Sequence, residues 1–356
     1  MQRPHRFRLA LTCLPILLFL PVATRGEPVA VIVDTSLETG SRQIRQFAFD
    51  GDAETYFASK ESPSISDHFT LVFDRPVSVK SLSVVTGKPD QGIVGTLETG
   101  VLEVSADGKT FTLLAKLTKG EACEDLPAQP IRAVRIKPTS GQADPLAVRE
   151  FTIASDHPIA HFKYPIEVAV DCSDSPEMKE WAEKVARTCE LWYPRLNQAL
   201  QSDGHKPSSY ITMRISRSYN GVAEASGGNI LGSSKFFKSH PDDVGAMIHE
   251  TVHIIQHYQD RSNPGWLVEG VADYIRFFLF EPGKIGPINA ERAHYDGSYR
   301  TTAAFLAYVA DKYDPSLISK LNTMMREGTY KDQAFKELTG KTVHELDEEW
   351  RKALER

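Results

Sequence analysis

Met247-Ile248-His249-Glu250-Thr251-Val252-His253, followed after Asn263-Pro264-Gly265 by Trp266-Leu267-Val268-Glu269-Gly270-Val271-Ala272-Asp273-Tyr274, is the stretch from which the fold is read. Apolar residues recur through both segments at helical spacing, so each is expected to form a helix with a buried face. On such a helix His249 and His253 lie four positions apart and project from one face, where two imidazoles can hold one Zn²⁺. Glu250, offset by about 100°, turns toward the metal's open side. Glu269 lies sixteen positions after His253 and can close a His-His-Glu set that leaves one position for water. Asp273 follows Glu269 by one turn, and is expected to accept the free ring N–H of a ligand histidine. The short Pro-Gly loop should bring the two helices back beside one another.

These residue types specify a chemistry. A bound Zn²⁺ lowers the pKa of its water from ~15.7 toward ~7, while Glu250 takes the water's proton and later hands it to a leaving amine. A tetrahedral oxyanion needs a further donor. Tyr299 is the first candidate, with His294 and Tyr295 behind it, and His257 is read as an outer or surface residue. A His-Glu-x-x-His run is short enough to arise by chance; the Glu269/Asp273 pair at the right distance is what makes it a site.

Working outward, residues 166–170, 210–215, 222–225 and 229–234 read as strands. Residues 229–234 are either the sheet edge that pairs with a substrate backbone or an interior strand whose small residues permit close packing. Ser175-Pro176-Glu177 opens a helix reaching about residue 200, and Pro241 with Asp242 and Asp243 opens the metal helix, 244–258. Residues 266–280 form the next helix, and 298–308, 315–326, 331–338 and 343–354 complete a helical C-terminal part. The intervening loop, 281–298, is rich in Gly and Pro and is the expected wall or lid of a substrate cleft.

Upstream the period changes. Residues 68–73, 81–85, 100–105, 111–114, 133–136 and 149–153 are short alternating runs separated by turns such as Asp107-Gly108-Lys109, which predicts an antiparallel β-sandwich over 27–155. Residues 156–164 link it to an α+β domain, 165–356, with a small mixed sheet and several helices. Ahead of both, Arg3, Arg6 and Arg8 precede an apolar run from Leu9 to Leu20 and a small-residue cleavage site, so 1–26 read as a secretory signal peptide. Its loss removes four arginines and no acids, taking the net charge from −6 to −10, and leaves no membrane span. A secreted, periplasmic or envelope location follows, and so acidic a surface argues against a nucleic-acid partner. At 41% hydrophobic and 25% charged residues the full sequence has the composition of folded, soluble protein. Of the three cysteines left, Cys172 and Cys189 could form a bridge worth about 3 kcal/mol, leaving Cys123 a buried free thiol. Alternatively all three are reduced.

Two resemblances carry these readings further. Residues 48–57 (Ala-Phe-Asp-Gly-Asp-Ala-Glu-Thr-Tyr-Phe), 102–111, 131–136 and 149–153 resemble the discoidin (coagulation factor type C) family. That resemblance implies a galactose-binding-like jelly roll, often a glycan-binding attachment of extracellular enzymes, with a structural Ca²⁺ in the loop that here holds Asp50, Asp52 and Thr55. Those side chains supply suitable hard oxygens. The alternative is a plain Asp-Gly turn. An aromatic sugar platform is less evident, since the segment has no tryptophan, Tyr56 is its only tyrosine, and Phe57 reads as core. Farther on, His249–His253, residues 264–276, Tyr299 with Ala304-Phe305-Leu306, and residues 335–343 resemble the plant basic secretory protein family within the gluzincin-like group. The likeness spans about 165–352. It implies an extracellular zinc peptidase with His249, His253 and Glu269 as ligands, although this chain is acidic where the family name is basic.

The reading is a secreted zinc endopeptidase cleaving protein or peptide substrates, with a sandwich that docks on glycan or a surface. Its rival is a non-catalytic glycan-binding protein with a vestigial peptidase domain, against which the retained Glu250 argues. A zinc hydrolase of non-peptide amides shares the same ligands.

Overall fold

A computed structural model describes residues 28–259, 262–297 and 299–355; the expected signal peptide lies outside them. The N-terminal strands are β1 (Val31–Thr35), β2 (Phe57–Ala58), β3 (Phe69–Thr86), β4 (Gly100–Ser105), β5 (Thr112–Lys116), β6 (Glu121–Pro138) and β7 (Ala147–Ser155). They pair in the order β2-β7-β3-β6-β4-β5, with β1 on the first half of β3.

The two longest strands make the sandwich. β3 runs through what the sequence suggested were two strands, and its pairing with β6 slips between Val72 and Val77 and again between Val79 and Ser81. Pro76, which has no N–H to give a ladder, lies inside the first slip. Before the bend β3 pairs with β1, and after it with β7, so one chain serves both layers. Phe69, from the first half, packs at 5.0 Å from the ring of Phe57 and 6.1 Å from that of Phe151. All three are buried, which places Phe57 in the core as its sequence suggested.

Residues 156–164 pack back on the sandwich: Val29 bridges Ile159, and Phe162 N–H donates to the Phe49 carbonyl. The sandwich then grips the second half through polar contacts. One guanidinium nitrogen of Arg45 lies 2.9 and 3.0 Å from the two oxygens of buried Glu190, and Thr39 donates to Glu167 at 2.6 Å. Burial pushes the Glu190 carboxyl up, opposed by Arg45 and by the Val168 N–H. A buried pair of this kind becomes strongly destabilising when one partner is removed, so Arg45 and Glu190 fix one half against the other.

The second half carries a four-stranded sheet of β8 (Glu167–Asp171), β9 (Tyr210–Ser216), β10 (Ala223–Ser226) and β11 (Asn229–Ser233), in the order β10-β11-β9-β8. β8, β9 and β11 are parallel, and β10 is antiparallel. Residues 229–233 are therefore interior, and β10 is the edge. The helices are α1 (Lys179–Ala199), α2 (Ser234–Ser239), α3 (Val244–Gln256), α4 (Gly265–Tyr274), α5 (Tyr299–Lys312), α6 (Leu317–Arg326), α7 (Gln333–Thr339) and α8 (Val343–Leu354). The expected helix over 266–280 is α4 running into a π-helical turn, Ile275–Phe280.

The cysteine bridge does not form: Cys123, Cys172 and Cys189 are all free thiols. Cys189 faces α3 instead, its sulfur 3.9 Å from the Met247 carbonyl, where burial pushes its pKa to about 12. It serves as a small core hydrophobe. Cys123 is exposed rather than buried, since its position on β6 alternates with buried Ala122.

Candidate metal centre and cleft

The Asp243 carboxylate starts α3 by accepting the Ala246 N–H at 3.2 Å, and it also receives Arg276 from the π-helical turn at 2.6 Å. A wider turn of this type re-aims side chains beside functional residues. Here it brings Arg276 and Glu281 against the first turn of α3. Gly245 makes this possible, because a Cβ there would lie 2.2 Å from the Glu281 carboxylate. α3 ends at His257, whose left-handed backbone (φ 47°) turns the chain away and keeps its ring out of the metal set. α4 then presents Glu269 and Asp273, one turn apart, toward α3. Gly270 lets α5 pack close behind, since a Cβ there would meet Thr302 at 2.2 Å.

These helices bring three donor atoms together. His249 Nε2 and His253 Nε2 are 3.0 Å apart, and Glu269 Oε2 lies 3.1 and 3.2 Å from them. The other ring nitrogens are already engaged: His249 Nδ1 with Asp273 Oδ1 at 2.7 Å, and His253 Nδ1 with Gln256 Oε1 at 2.7 Å. If both Nδ1 atoms donate, both Nε2 lone pairs converge on a carboxylate oxygen. Such an arrangement repels itself unless a cation lies between. Metal–ligand bonds of about 2.0–2.1 Å at tetrahedral angles would set the donors about 3.4 Å apart, close to the spacing found.

The electrostatics agree. Burial alone would lower the pKa of His249, but Asp273 and Glu269 outweigh it and lift it to about 9. Burial would raise Glu269, yet the two histidines bring it to about 2. The cluster thus draws in one positive charge. Burial raises the pKa of Glu250, partly opposed by His249 and His253.

Gln256 was not singled out in the sequence, because a glutamine at a helix end reads as surface. It is buried, and its amide also donates to the Val268 carbonyl at 3.0 Å, tying α3 to α4. Gln256→Ala is expected to weaken metal affinity about 10–100-fold, as loss of an outer partner of a ligand does. Equilibrium competition with a chromogenic chelator measures this; unchanged affinity would show that His253 needs no such orienter.

A cleft of about 710 Å³ lies over the donors, bounded by β10, Tyr219 and Tyr299. The Tyr299 ring stands 6.2 Å from that of His249, and the Glu269 charge raises its pKa, keeping it a proton donor. Tyr219, which sequence reading passed over, is a second tyrosine lining the cleft. Its hydroxyl gives a hydrogen bond to Glu224 at 3.3 Å and fits because Gly221 has no side chain to meet it. His294 and Tyr295 are not at the cleft. His294 pairs with Asp296, and the Tyr295 ring is packed against Trp266, Phe305 and His344.

In the sandwich, Thr55 donates to both oxygens of Asp50 at 2.9 and 3.0 Å, while Asp52 accepts the Glu54 N–H at 3.0 Å. Nearby Glu150 on β7 has both carboxylate oxygens buried without a hydrogen-bond partner. Burial, then the Asp50 charge, pushes its pKa to about 8.

Comparison with known proteins places residues 177–350 in a match to the family described as peptidase of plants and bacteria. Among curated proteins none matches the chain significantly. The N-terminal region is similar to CBM32-1 from a family 31 glycoside hydrolase of Clostridium perfringens, at 18% identity over 35% of this chain and 92% of that one, with a TM-score of 0.30. The family 32 CBM of C. perfringens NanJ, solved with galactose, is 13% identical over 35% and 92%, with a TM-score of 0.30. A chitosan-binding module of a Paenibacillus sp. IK-5 chitosanase/glucanase is 18% identical over 35% and 93%, again with a TM-score of 0.30. No helix among the described residues is long and apolar enough to cross a membrane.

Proposed function

We propose that this chain, whose residues 177–350 match a family of peptidases, is a secreted zinc-dependent endopeptidase. The observation that carries the reading is the convergence of His249, His253 and Glu269 on one point, with Glu250 beside it in an open cleft. Zinc suits a set of two imidazoles and one carboxylate, and when bound it polarises the scissile carbonyl and activates a water. Asp273 and Gln256 hold the two imidazoles in the Nδ1–H tautomer. Glu250 accepts the water's proton and delivers it to the leaving nitrogen. Tyr299, with Tyr219 opposite, donates to the developing oxyanion. β10 offers its unpaired edge to an extended substrate backbone.

The cleft supports endo- rather than exopeptidase action. It continues past the donors in both directions, toward Val222 and Arg300 on one side and toward Ser226 and His205 on the other. Mapping new termini in digested denatured proteins is expected to show internal cleavage. Release of single residues from chain ends alone would refute it.

The sandwich, read as 27–155 and joined through 156–164, serves in this reading to dock the enzyme on glycan or a surface, which a glycan array on the whole chain tests. Its Asp50–Thr55 loop with Glu150 is read as a structural Ca²⁺ site, because a cation would offset the buried Glu150 carboxylate and the Asp50 and Asp52 charges beside it. Millimolar Ca²⁺ is expected to raise the thermal midpoint of the wild type and leave that of Glu150→Gln unchanged; equal responses would remove the site.

A further inference from the structure

The two ends of the cleft differ in chemistry, and the difference bears on which peptides the site takes. One end, about 460 Å³, shares His249 and Glu250 with the metal centre and is walled by Val222, Phe277, Lys284 and Arg300. The opposite end shares His253 and runs under the β10–β11 turn toward His205 and His257. Val222 and the β10 strand that follows it therefore pass from the first end, at Val222, across the metal centre to the second, at Ser226. Glu250 must protonate the amine that leaves, and that nitrogen belongs to the residue on the C-terminal side of the broken bond. The end containing Glu250 is thus the leaving-group side.

That end carries three cations, Arg276, Lys284 and Arg300, beside the acids Glu250 and Asp273, and they differ in how they are paired. Arg276 is held by Asp243 at 2.6 Å and Glu281 at 2.8 Å, and Lys284 shares Glu281 at 3.2 Å. Arg300 donates to the Ile285 carbonyl at 2.9 Å, and among the described residues no carboxylate lies within ion-pairing distance of it. Arg276 and Lys284 are thus paired with acids, and Arg300 is the cation of this end left without one among the described residues. Arg300 also occupies the first turn of α5, which holds no acid. A cation there opposes the helix dipole and costs stability. A local rule broken in the wall of a cleft points to function. Phe277 and Val222 supply apolar walls beside the charge, suited to the stem of a short acidic side chain.

We propose that Arg300, with Lys284, selects a carboxylate on the leaving-group side. The residue after the scissile bond would be Asp or Glu. This rests on the peptidase reading, and the test separates the two. Peptide hydroxamates anchor on a bound metal, so the residue attached to the hydroxamate is held on the leaving-group side without turnover. Binding of four such probes to the zinc-loaded full chain is measured by calorimetry: Glu amide, Gln amide, Gln with a free terminal carboxylate, and Lys amide. The expected result is about tenfold tighter binding of Glu amide than of Gln amide, typical of hydrogen bonds to a charged group. The preference should weaken as salt is added and vanish in the Arg300→Gln, Lys284→Gln double variant. A gain for Glu amide marks an acidic side chain; a gain for the free-acid probe alone would overturn the proposal, since it marks a chain terminus. Equal affinities across all probes, or a preference surviving in the double variant, would overturn the proposal. A carboxylate preference in a protein that cleaves nothing would leave it standing and remove the peptidase reading instead.

Discussion

Glu250→Gln is expected to lower kcat/KM for a protein substrate by about 10³-fold while the protein still binds one equivalent of zinc. The carboxylate is buried beside the donor trio but is not part of it, so the amide keeps shape and volume and gives up the proton-accepting oxygen. Burial raises the Glu250 pKa and the neighbouring imidazoles oppose that rise, and the proposed mechanism asks this one group to act as base and then as acid. The expected signature is a fall in kcat with little change in KM, because the lost interaction exists in the transition state and not in the bound ground state. Full activity in the variant would mean that another group moves the proton.

Glu269→Gln is expected to abolish zinc binding under conditions where the wild type is fully loaded, with a loss well beyond the ~10–100-fold that follows removal of an outer partner. Glu269 supplies the anionic oxygen of the set, and its pKa, lowered to about 2 by His249 and His253 against the effect of burial, shows how strongly the histidines favour a negative charge there. Without that charge the two Nε2 atoms, 3.0 Å apart, face a neutral amide. His257→Ala is the matched control. That residue lies one turn past His253 but outside the trio, so zinc content should be unchanged. Metal content by mass spectrometry after gel filtration checks both, and a wild-type zinc content in Glu269→Gln would place the third ligand elsewhere.

The residues legible in the sequence are those fixed by helical period. His249, His253, Glu269 and Asp273 could be placed because spacings of four on two helices joined by a short loop leave little freedom. What escaped depends on contacts distant in the chain or on irregular backbone. Gln256 matters only because α3 stops there and α4 returns within reach of its amide. Arg276 reaches Asp243 only because the chain widens into a π-helical turn after Tyr274, and no local pattern announced that turn. Strands 222–225 and 229–234 were both foreseen, but which of them is the edge depends on pairing with β9. The Cys172–Cys189 bridge was suggested by closeness in sequence, whereas Cys189 turns toward α3. Arg45 and Glu190 meet across 145 positions, beyond any window of sequence.

The most direct measurement is zinc titration of chelator-stripped, full-length protein, following casein cleavage and bound metal together. Cleavage should be absent in the stripped protein, rise in proportion to zinc and level off at one equivalent. Cleavage that persists after stripping, or one bound zinc without any cleavage, would contradict a zinc peptidase built on His249, His253 and Glu269.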